Sequence, residues 1–205
     1  AWALNQGDAV VFLPDKNRAR SSANVRGLPE TERHMLAVRG GGTGVDRETA
    51  NKARLLMLPG CRAIHARFNV RQVASRRKEH PGIKIVVHPE SSPKVVAAAD
   101  AAGSTSFIID YAAQARKGDS IAVGTEINLV ERLAEQYRDS LTIVPLLESE
   151  CSHMDRTKPA HLLSALEAIA EPGNHAYPPC TVMVDDAIKA DAKASLDRML
   201  HEMQR

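Results

Sequence analysis

The stretch that decides the fold is IKIVVHPE, residues 83–90. Residues 83–87 form an almost continuous apolar run, which is typical of a strand covered on both faces in a parallel sheet. Comparable apolar runs occur at 9–13, 54–58, 120–123 and 141–146. The sequence therefore predicts several buried strands, the clearest of which leads directly into a histidine, a proline and a glutamate.

Segments with helical spacing of apolar residues separate these strands. They are residues 70–79, 93–102, 106–116, 127–138, 159–170 and 186–203. The alternation predicts an α/β protein with parallel sheets and right-handed crossovers. In segment 159–170, one side of the predicted helix carries Leu162, Leu163, Leu166 and Ile169. In segment 186–203, the apolar residues that are expected to face inward are Ile188, Ala192, Leu196, Met199 and Leu200.

The composition excludes several classes of protein. The 205 residues are 43% hydrophobic and 25% charged, with a net charge of +2 and only 3% aromatic residues. This balance argues against a nucleic-acid binder, and Arg76-Arg77-Lys78 is expected to be the solvated face of a helix. No apolar run approaches the roughly 18 residues of a membrane span. Three widely spaced cysteines exclude a disulfide scaffold and favour a reducing cytoplasm.

Three of the predicted strands end in polar sequences: PDKN at 14–17, HPE at 88–90 and GTE at 124–126. Ligands of parallel α/β sheets bind beyond the carboxyl ends of the strands, so these sequences are candidate site elements. The glycine-rich stretch 39–44 lacks the lysine and the strand–loop–helix setting of a phosphate-binding loop. It is interpreted as a flexible connection.

His88 and Glu90 are the first candidate pair. Two positions apart on an extended backbone, their side chains point the same way and can hydrogen-bond a polar substrate or move a proton. The alternative is an exposed turn at the end of a strand.

Ser104 and Thr105, within GSTS at 103–106, precede a predicted helix. Hydroxyls and free N–H groups there suit a carboxylate or a phosphate. Simple capping of the helix is an equal alternative.

The cysteines are Cys61, Cys151 and Cys180, and none belongs to the paired motif of a structural zinc site. An iron–sulfur cluster can draw single thiolates from distant loops. Buried or incidental cysteines are the simpler interpretation on spacing alone, above all for Cys180.

Taken together, these segments resemble the quinolinate synthase family. The matching text includes the following stretches: WALNQGDAVVFLPDKNRAR (2–20), LLMLPGCRAIHARF (55–68), IKIVVHPESSPKVVAAADAAGSTSFII (83–109), AVGTEINLVERLAE (122–135), ECSHMDRTKPAHLLSALEAI (150–169) and LDRML (196–200). The order HPE, GSTS, GTEINLV and then CxxM before a helix makes the combination specific.

The resemblance implies three-layer α/β/α domains with parallel sheets, arranged as three domains around a pseudo-threefold axis. Residues 1–58 would complete the second domain, 59–150 would form the third, and 151–205 would supply a ligand loop and closing helices that pack on the first. Because the chain opens on Ala1 without a preceding domain, it resembles the last part of such a protein.

The resemblance also implies the chemistry. The family condenses iminoaspartate with dihydroxyacetone phosphate to quinolinate in NAD biosynthesis, with a [4Fe–4S] cluster as Lewis acid. His88 and Glu90 would contact substrate, with Glu90 the better group for proton transfer. Thr105, helped by Ser104, would hold a carboxylate or phosphate, and Cys151 would bind the cluster. The enzyme that oxidises aspartate is a further implied partner; no nucleic acid or membrane is expected.

One departure concerns the second cluster ligand. The family pattern is Pro-Gly-x-Cys-x-Val-His, whereas this chain has Arg62 at the ligand position and Cys61 one position early. Cys61 is the second candidate cluster ligand, which would reach the iron through adjustment of the loop. This shift motivates a second hypothesis, a truncated or degenerate member that binds small anions without a cluster. A third hypothesis is a sugar-phosphate-binding α/β module without metal.

Overall fold

The computed structural model describes residues 2–37, 45–170 and 181–204. The chain contains two compact units, Ala1–Ser152 and His153–Arg205. The stretch 39–44 and Cys180 lie outside the described residues. The domain boundaries expected near residues 58 and 150 remain predictions.

The first sheet of the amino-terminal unit has the strand order β1–β3–β2 in the described ranges, and all its pairs are parallel. Its elements are β1 (Val10–Phe12), α1 (Lys16–Val25), β2 (Arg33–Met35), α2 (Arg47–Lys52) and β3 (Leu55–Met57). Ala19 and Ala23 of α1 are buried in one cluster with Leu55 and Met57 of β3. This packing fixes the start of α1 beside the carboxyl ends of the strands.

The second sheet has the order β5–β4–β6–β7, again with every described pair parallel. Its elements are α3 (Ala63–Ala66), α4 (Val70–Glu79), β4 (Lys84–Val87), α5 (Pro93–Ala98), β5 (Ala101–Ala102), α6 (Thr105–Ala113), β6 (Ser120–Gly124), α7 (Ile127–Gln136) and β7 (Thr142–Pro145). The predicted α/β class with parallel sheets is confirmed.

Side chains of the second sheet alternate between two cores because successive strand residues point to opposite faces. Val86 packs with Ile108 and Val130 from α6 and α7 on one face. Ile85 packs with Val73 and Val95 from α4 and α5 on the other. Helices therefore cover both faces, which is why the strands read as continuous apolar runs.

The prediction of a helix over residues 93–102 is wrong for its second half. α5 ends at Ala98, and residues 101–102 form the edge strand β5. Asp100 explains the break, because its N–H donates to the carbonyl of Ile85 at 2.8 Å and its carboxylate accepts the N–H of Ile85 at 2.7 Å. Pairing with β4 replaces another helical turn.

The carboxy-terminal unit contains α8 (Pro159–Ala170) and α9 (Asp186–Met203), with the bounds that the sequence predicts. The expectation that the apolar residues of α9 face inward is wrong for the described residues, and those of α8 are exposed as well. Leu162 is 60% exposed, Leu196 is 56% exposed, and neither helix contains a buried residue. An amphipathic pattern forms a core only where another surface covers it.

Across the described ranges, no helix has the length and hydropathy needed to cross a bilayer.

Gly60 provides a test of the junction between the two sheets. A Cβ there would overlap the carbonyl oxygen of Pro14, while the Gly60 carbonyl accepts the N–H of Lys16 at 2.8 Å. Gly60→Ala is expected to lower the free energy of unfolding by about 2 kcal/mol or more, because backbone must move. Gly7→Ala is the matched control, since its Cβ would lie 3.9 Å from the Ala9 oxygen. Equal denaturation midpoints for the two variants would contradict the packing described here.

Candidate active site

Glu90 lies at the centre of a charged cluster beyond the carboxyl end of β4. Its side chain is only 5% exposed. The backbone turns here, with the N–H of Ser91 donating to the carbonyl of His88 at 3.0 Å. The backbone therefore does not stay extended through HPE but forms the turn that was the alternative, although Glu90 is buried and not exposed. The two side chains still converge, with 4.0 Å between His88 Nδ1 and Glu90 Oε2.

His65, from α3, is the third member of the cluster. Its Nε2 lies 3.7 Å from Glu90 Oε2, and its ring stacks on His88 with centroids 4.3 Å apart. His65 is 5% exposed and its Nδ1 has no hydrogen-bond partner in the described part of the chain. Two stacked imidazoles and one carboxylate thus share a largely enclosed space.

Two arginines complete the surroundings of Glu90. Arg62 Nε lies 3.2 Å from Oε2, and Arg18 Nη1 lies 4.0 Å from Oε1. Their side chains are 63% and 51% exposed, respectively, whereas the carboxylate is buried. Positive charge therefore stands at the rim of the site and the carboxylate at its base.

Asp15 joins the loops that carry these arginines. It is 1% exposed, and its carboxylate accepts the backbone N–H groups of Arg18 at 2.9 Å and Arg62 at 3.1 Å. Asn17 adds a link across the sheets by donating to the carbonyl of Glu90 at 3.2 Å. The loops after β1 and β3 are thereby held against the turn after β4.

Burial shifts the pKa values of His65, His88 and Glu90. It lowers the pKa of His65 to about 4, with Arg62 acting in the same direction, and lowers that of His88 to about 4, with His65 and the arginines adding to it. Both imidazoles are neutral at pH 7. Burial raises the pKa of Glu90, although Arg62 opposes the shift.

The protonation state of His88 follows from its backbone contact. Its Nδ1 accepts the N–H of Glu90 at 3.3 Å, so the neutral ring carries its proton on Nε2. Glu90 Oε2 is buried without a hydrogen-bond partner among the described residues. The arrangement offers one N–H donor and one carboxylate oxygen with unused acceptor capacity, which suits proton transfer to and from a bound molecule.

The remaining strand-end residues have capping roles in the structure. Ser104 caps α6 by accepting the N–H of Phe107 at 3.3 Å, and both Ser104 and Thr105 are exposed. Glu126 caps α7 by accepting the N–H of Asn128 at 2.9 Å. Roles of Ser104 and Thr105 in binding an anion remain predictions.

The cysteines do not form the ligand set of an iron–sulfur cluster within the described residues. Cys61 is exposed, Cys151 is partly buried, and both are free thiols. The one group of three or more metal-binding side chains found in the described ranges consists of His65, His88 and Glu90, and contains no thiol. At the position where the family pattern has a cysteine, Arg62 directs its guanidinium at Glu90. These residues do not fit a [4Fe–4S] cluster.

Ligand atoms of His65, His88 and Glu90 lie within 4.8 Å of one another. A cation between them would meet the guanidinium of Arg62, which is 3.2 Å from the same carboxylate oxygen. It would also need the two imidazole planes to turn, because rings 9° from parallel do not aim their nitrogens at one point. The cluster is therefore better suited to protons and anions than to a metal ion.

Sequence reasoning missed His65, Arg62 and Arg18 as members of the site, whereas Asp15 lies in the strand-end sequence PDKN that it selected. A signal for two of them was present, because 54–58 was predicted to be a strand and LPGCRAIH follows it directly. Applying the strand-end rule to that loop as well would have selected Arg62 and His65. No comparable signal marks Arg18, whose role depends on how α1 is placed.

Fold and site define an α/β protein whose histidine–carboxylate site lies beyond the carboxyl ends of parallel strands. The chain belongs to the quinolinate synthetase A protein family, which matches it over residues 1–201.

Several curated relatives named quinolinate synthase are similar to the chain along almost its whole length. That of Lysinibacillus sphaericus is 37% identical over 97% of this chain and 53% of its own length. The relative from Corynebacterium glutamicum is 36% identical over 97% of this chain and 50% of its own length. The relative from Bacillus cytotoxicus is 36% identical over 99% of this chain and 54% of its own length. The chain thus spans about half the length of the curated relatives it matches.

A substitution at Asp15 tests whether this carboxylate joins the loops of Arg18 and Arg62 or only caps the amino terminus of α1. Asp46 is the matched control, because it also caps a helix, by accepting the N–H of Thr49 at 2.7 Å, but is exposed. Asp46→Ala is expected to lower the free energy of unfolding only by the small amount that an exposed helix cap contributes. Asp15→Ala is expected to cost about 3 kcal/mol, because the N–H groups of Arg18 and Arg62 lose their acceptor. Denaturation curves check the difference, and equal losses would contradict the bridge.

Proposed function

We propose that the chain supplies the carboxy-terminal part of a quinolinate synthase active site, for the condensation of iminoaspartate with dihydroxyacetone phosphate in NAD biosynthesis. The observation that carries the proposal is the buried Glu90, held against His88 and His65 beneath two guanidiniums. Family membership supports the reaction class. The remaining part of the site would come from outside this sequence.

Glu90 is the proposed proton-transfer group. The condensation requires protons to leave carbon and nitrogen and to reach departing oxygen, which a carboxyl group with a pKa shifted toward neutrality does efficiently. Burial supplies that upward shift of the pKa of Glu90. His88 would orient the substrate by donating its Nε2 proton to a substrate oxygen.

Thr105 and Ser104 are the proposed holders of a substrate carboxylate or phosphate. They stand at the amino terminus of α6, a helix of nine residues, where N–H groups and the helix dipole favour negative charge. Their exposure leaves room for a ligand. Because Ser104 already caps the helix, Thr105 has the freer hydroxyl of the two.

A [4Fe–4S] cluster in the whole protein would draw on Cys151, whose CxxM setting matches the family pattern, and on thiolates outside the described residues. No step is assigned to such a cluster, because Arg62 stands where a second ligand is expected and Cys61 is exposed. The proposal further includes a cytoplasmic location and supply of iminoaspartate by an aspartate-oxidising enzyme.

The Arg62–Glu90 contact favours a second candidate function, a non-catalytic family member that binds small anions. Assay of the complete protein with both substrates separates the two. Quinolinate formation supports the enzyme, whereas a folded protein that forms none supports the binding function.

A further inference from the structure

Three hydrogen-bond donors around Glu90 have no hydrogen-bond acceptor among the described residues. The atom of Arg62 nearest to the carboxylate is its Nε, and the terminal nitrogens of the guanidinium donate no hydrogen bond to a described residue. Arg18 is 4.0 Å from the carboxylate, too far for a hydrogen bond. In the described part of the chain, neither guanidinium donates to a protein acceptor.

The third donor is Nε2–H of His88, since its Nδ1 is engaged by the backbone of Glu90. This group differs from the guanidiniums in being neutral and nearly enclosed, with a side chain 13% exposed. The side chains of Arg62 and Arg18 are 63% and 51% exposed, so their guanidiniums are accessible to a molecule that enters the site from solvent. The site therefore presents charged donors at its mouth and a neutral donor farther in.

Arg62 Nε lies 3.2 Å from one oxygen of the Glu90 carboxylate and Arg18 Nη1 lies 4.0 Å from the other, so both guanidiniums can reach one small molecule. Asp15 fixes their backbones, because its carboxylate accepts the N–H groups of Arg18 and Arg62. Guanidinium groups recognise carboxylates and phosphates through paired hydrogen bonds, and a preorganised pair loses less entropy on binding. The positive charge that disfavours a metal ion here favours an anion.

We propose that Arg18 and Arg62, with Nε2–H of His88, form an iron-independent clamp for a small carboxylate or phosphate dianion. The clamp occupies the same site as the proposed function but does not require the condensation to take place. It assigns a binding role to Arg62 at the position where the family pattern has a cluster ligand.

The test is calorimetric titration of the complete protein, freed of iron by a chelator, with succinate and with inorganic phosphate as probes. Saturable binding of either probe is expected, and the stronger of the two identifies the preferred anion. Arg62→Gln and Arg18→Gln are each expected to weaken binding about tenfold or more. Arg67→Gln, which changes an exposed arginine at the end of α3, is the control and should leave the affinity unchanged.

Circular dichroism establishes that the variants fold, and Arg62→Lys serves as a second variant that keeps the charge and loses the paired geometry. The Arg62→Lys protein is expected to bind the probe anion more weakly than the unchanged protein and more tightly than Arg62→Gln. Undetectable binding of both probes, equal affinity in Arg62→Gln, or binding that requires iron would overturn the clamp. Because quinolinate formation is a separate assay, failure of the clamp and failure of the proposed function are distinguishable.

Discussion

Glu90→Gln is expected to reduce the rate of quinolinate formation by the complete protein by about 10²–10⁴-fold, the usual contribution of a positioned acid or base. Glutamine keeps the size of the side chain but cannot exchange a proton. The carboxyl group that is lost is buried next to His65 and His88. The measurement is the steady-state rate with saturating iminoaspartate and dihydroxyacetone phosphate.

Glu79→Gln is the control for this substitution. Glu79 is an exposed glutamate at the end of α4 that pairs with Arg76 at 3.0 Å, and it precedes β4, whereas the site lies beyond the carboxyl end of that strand. It is expected to retain full activity. A Glu90→Gln enzyme that keeps more than half of its rate would show that the carboxyl group does not transfer the proton.

Lowering the pH from 7 to 4 is expected to reduce the free energy of unfolding by several kcal/mol. The pKa values of His65 and His88 are lowered from 6.5 to about 4, so the unfolded chain binds protons that the folded chain does not. Stability is therefore fully present above pH 6.5 and is lost as the pH falls toward 4. Each imidazole contributes up to about 3 kcal/mol to this loss.

Glu90 acts in the opposite direction. Because its pKa is raised by burial, the folded state binds its proton at higher pH than the unfolded state, and stability rises as the pH falls toward 4.5. One carboxyl group offsets only part of the effect of two imidazoles. The free energy of unfolding is therefore expected to fall, on balance, as the pH is lowered from 6.5 to 4.

Urea denaturation at several pH values measures this slope. The His65→Asn, His88→Gln double variant is expected to flatten it, since neither replacement titrates. His80→Gln is the control, because His80 is exposed at the end of α4. The same slope in the double variant and in the unchanged protein would contradict neutral, buried imidazoles.

Much of the sheet architecture is predictable from local sequence. Residues 84–87 and 120–124 alternate between two cores, and strands buried on both faces require continuous apolar runs. The HPE motif was placed correctly at the end of β4 because the run stops abruptly at His88. The short strand β2 was missed, since Arg33-His34-Met35 has neither an apolar run nor alternation.

The candidate site was only half predictable, because its other half comes from loops far away in the sequence. Asn17 reaches the carbonyl of Glu90 across 73 positions, and Asp15 reaches Arg62 across 47. Such contacts depend on how the two sheets meet, which local periodicity does not encode. The exposure of α8 and α9 has a similar origin, because an amphipathic pattern indicates which face is apolar and not what covers it.

The most direct test of the central claim is the product analysis of the complete protein, prepared anaerobically with iron and sulfide. With iminoaspartate and dihydroxyacetone phosphate supplied, the account predicts quinolinate and phosphate in equal amounts, and loss of both in Glu90→Gln but not in Glu79→Gln. A folded protein that releases no quinolinate, or one whose quinolinate formation is unaffected by Glu90→Gln, would contradict it.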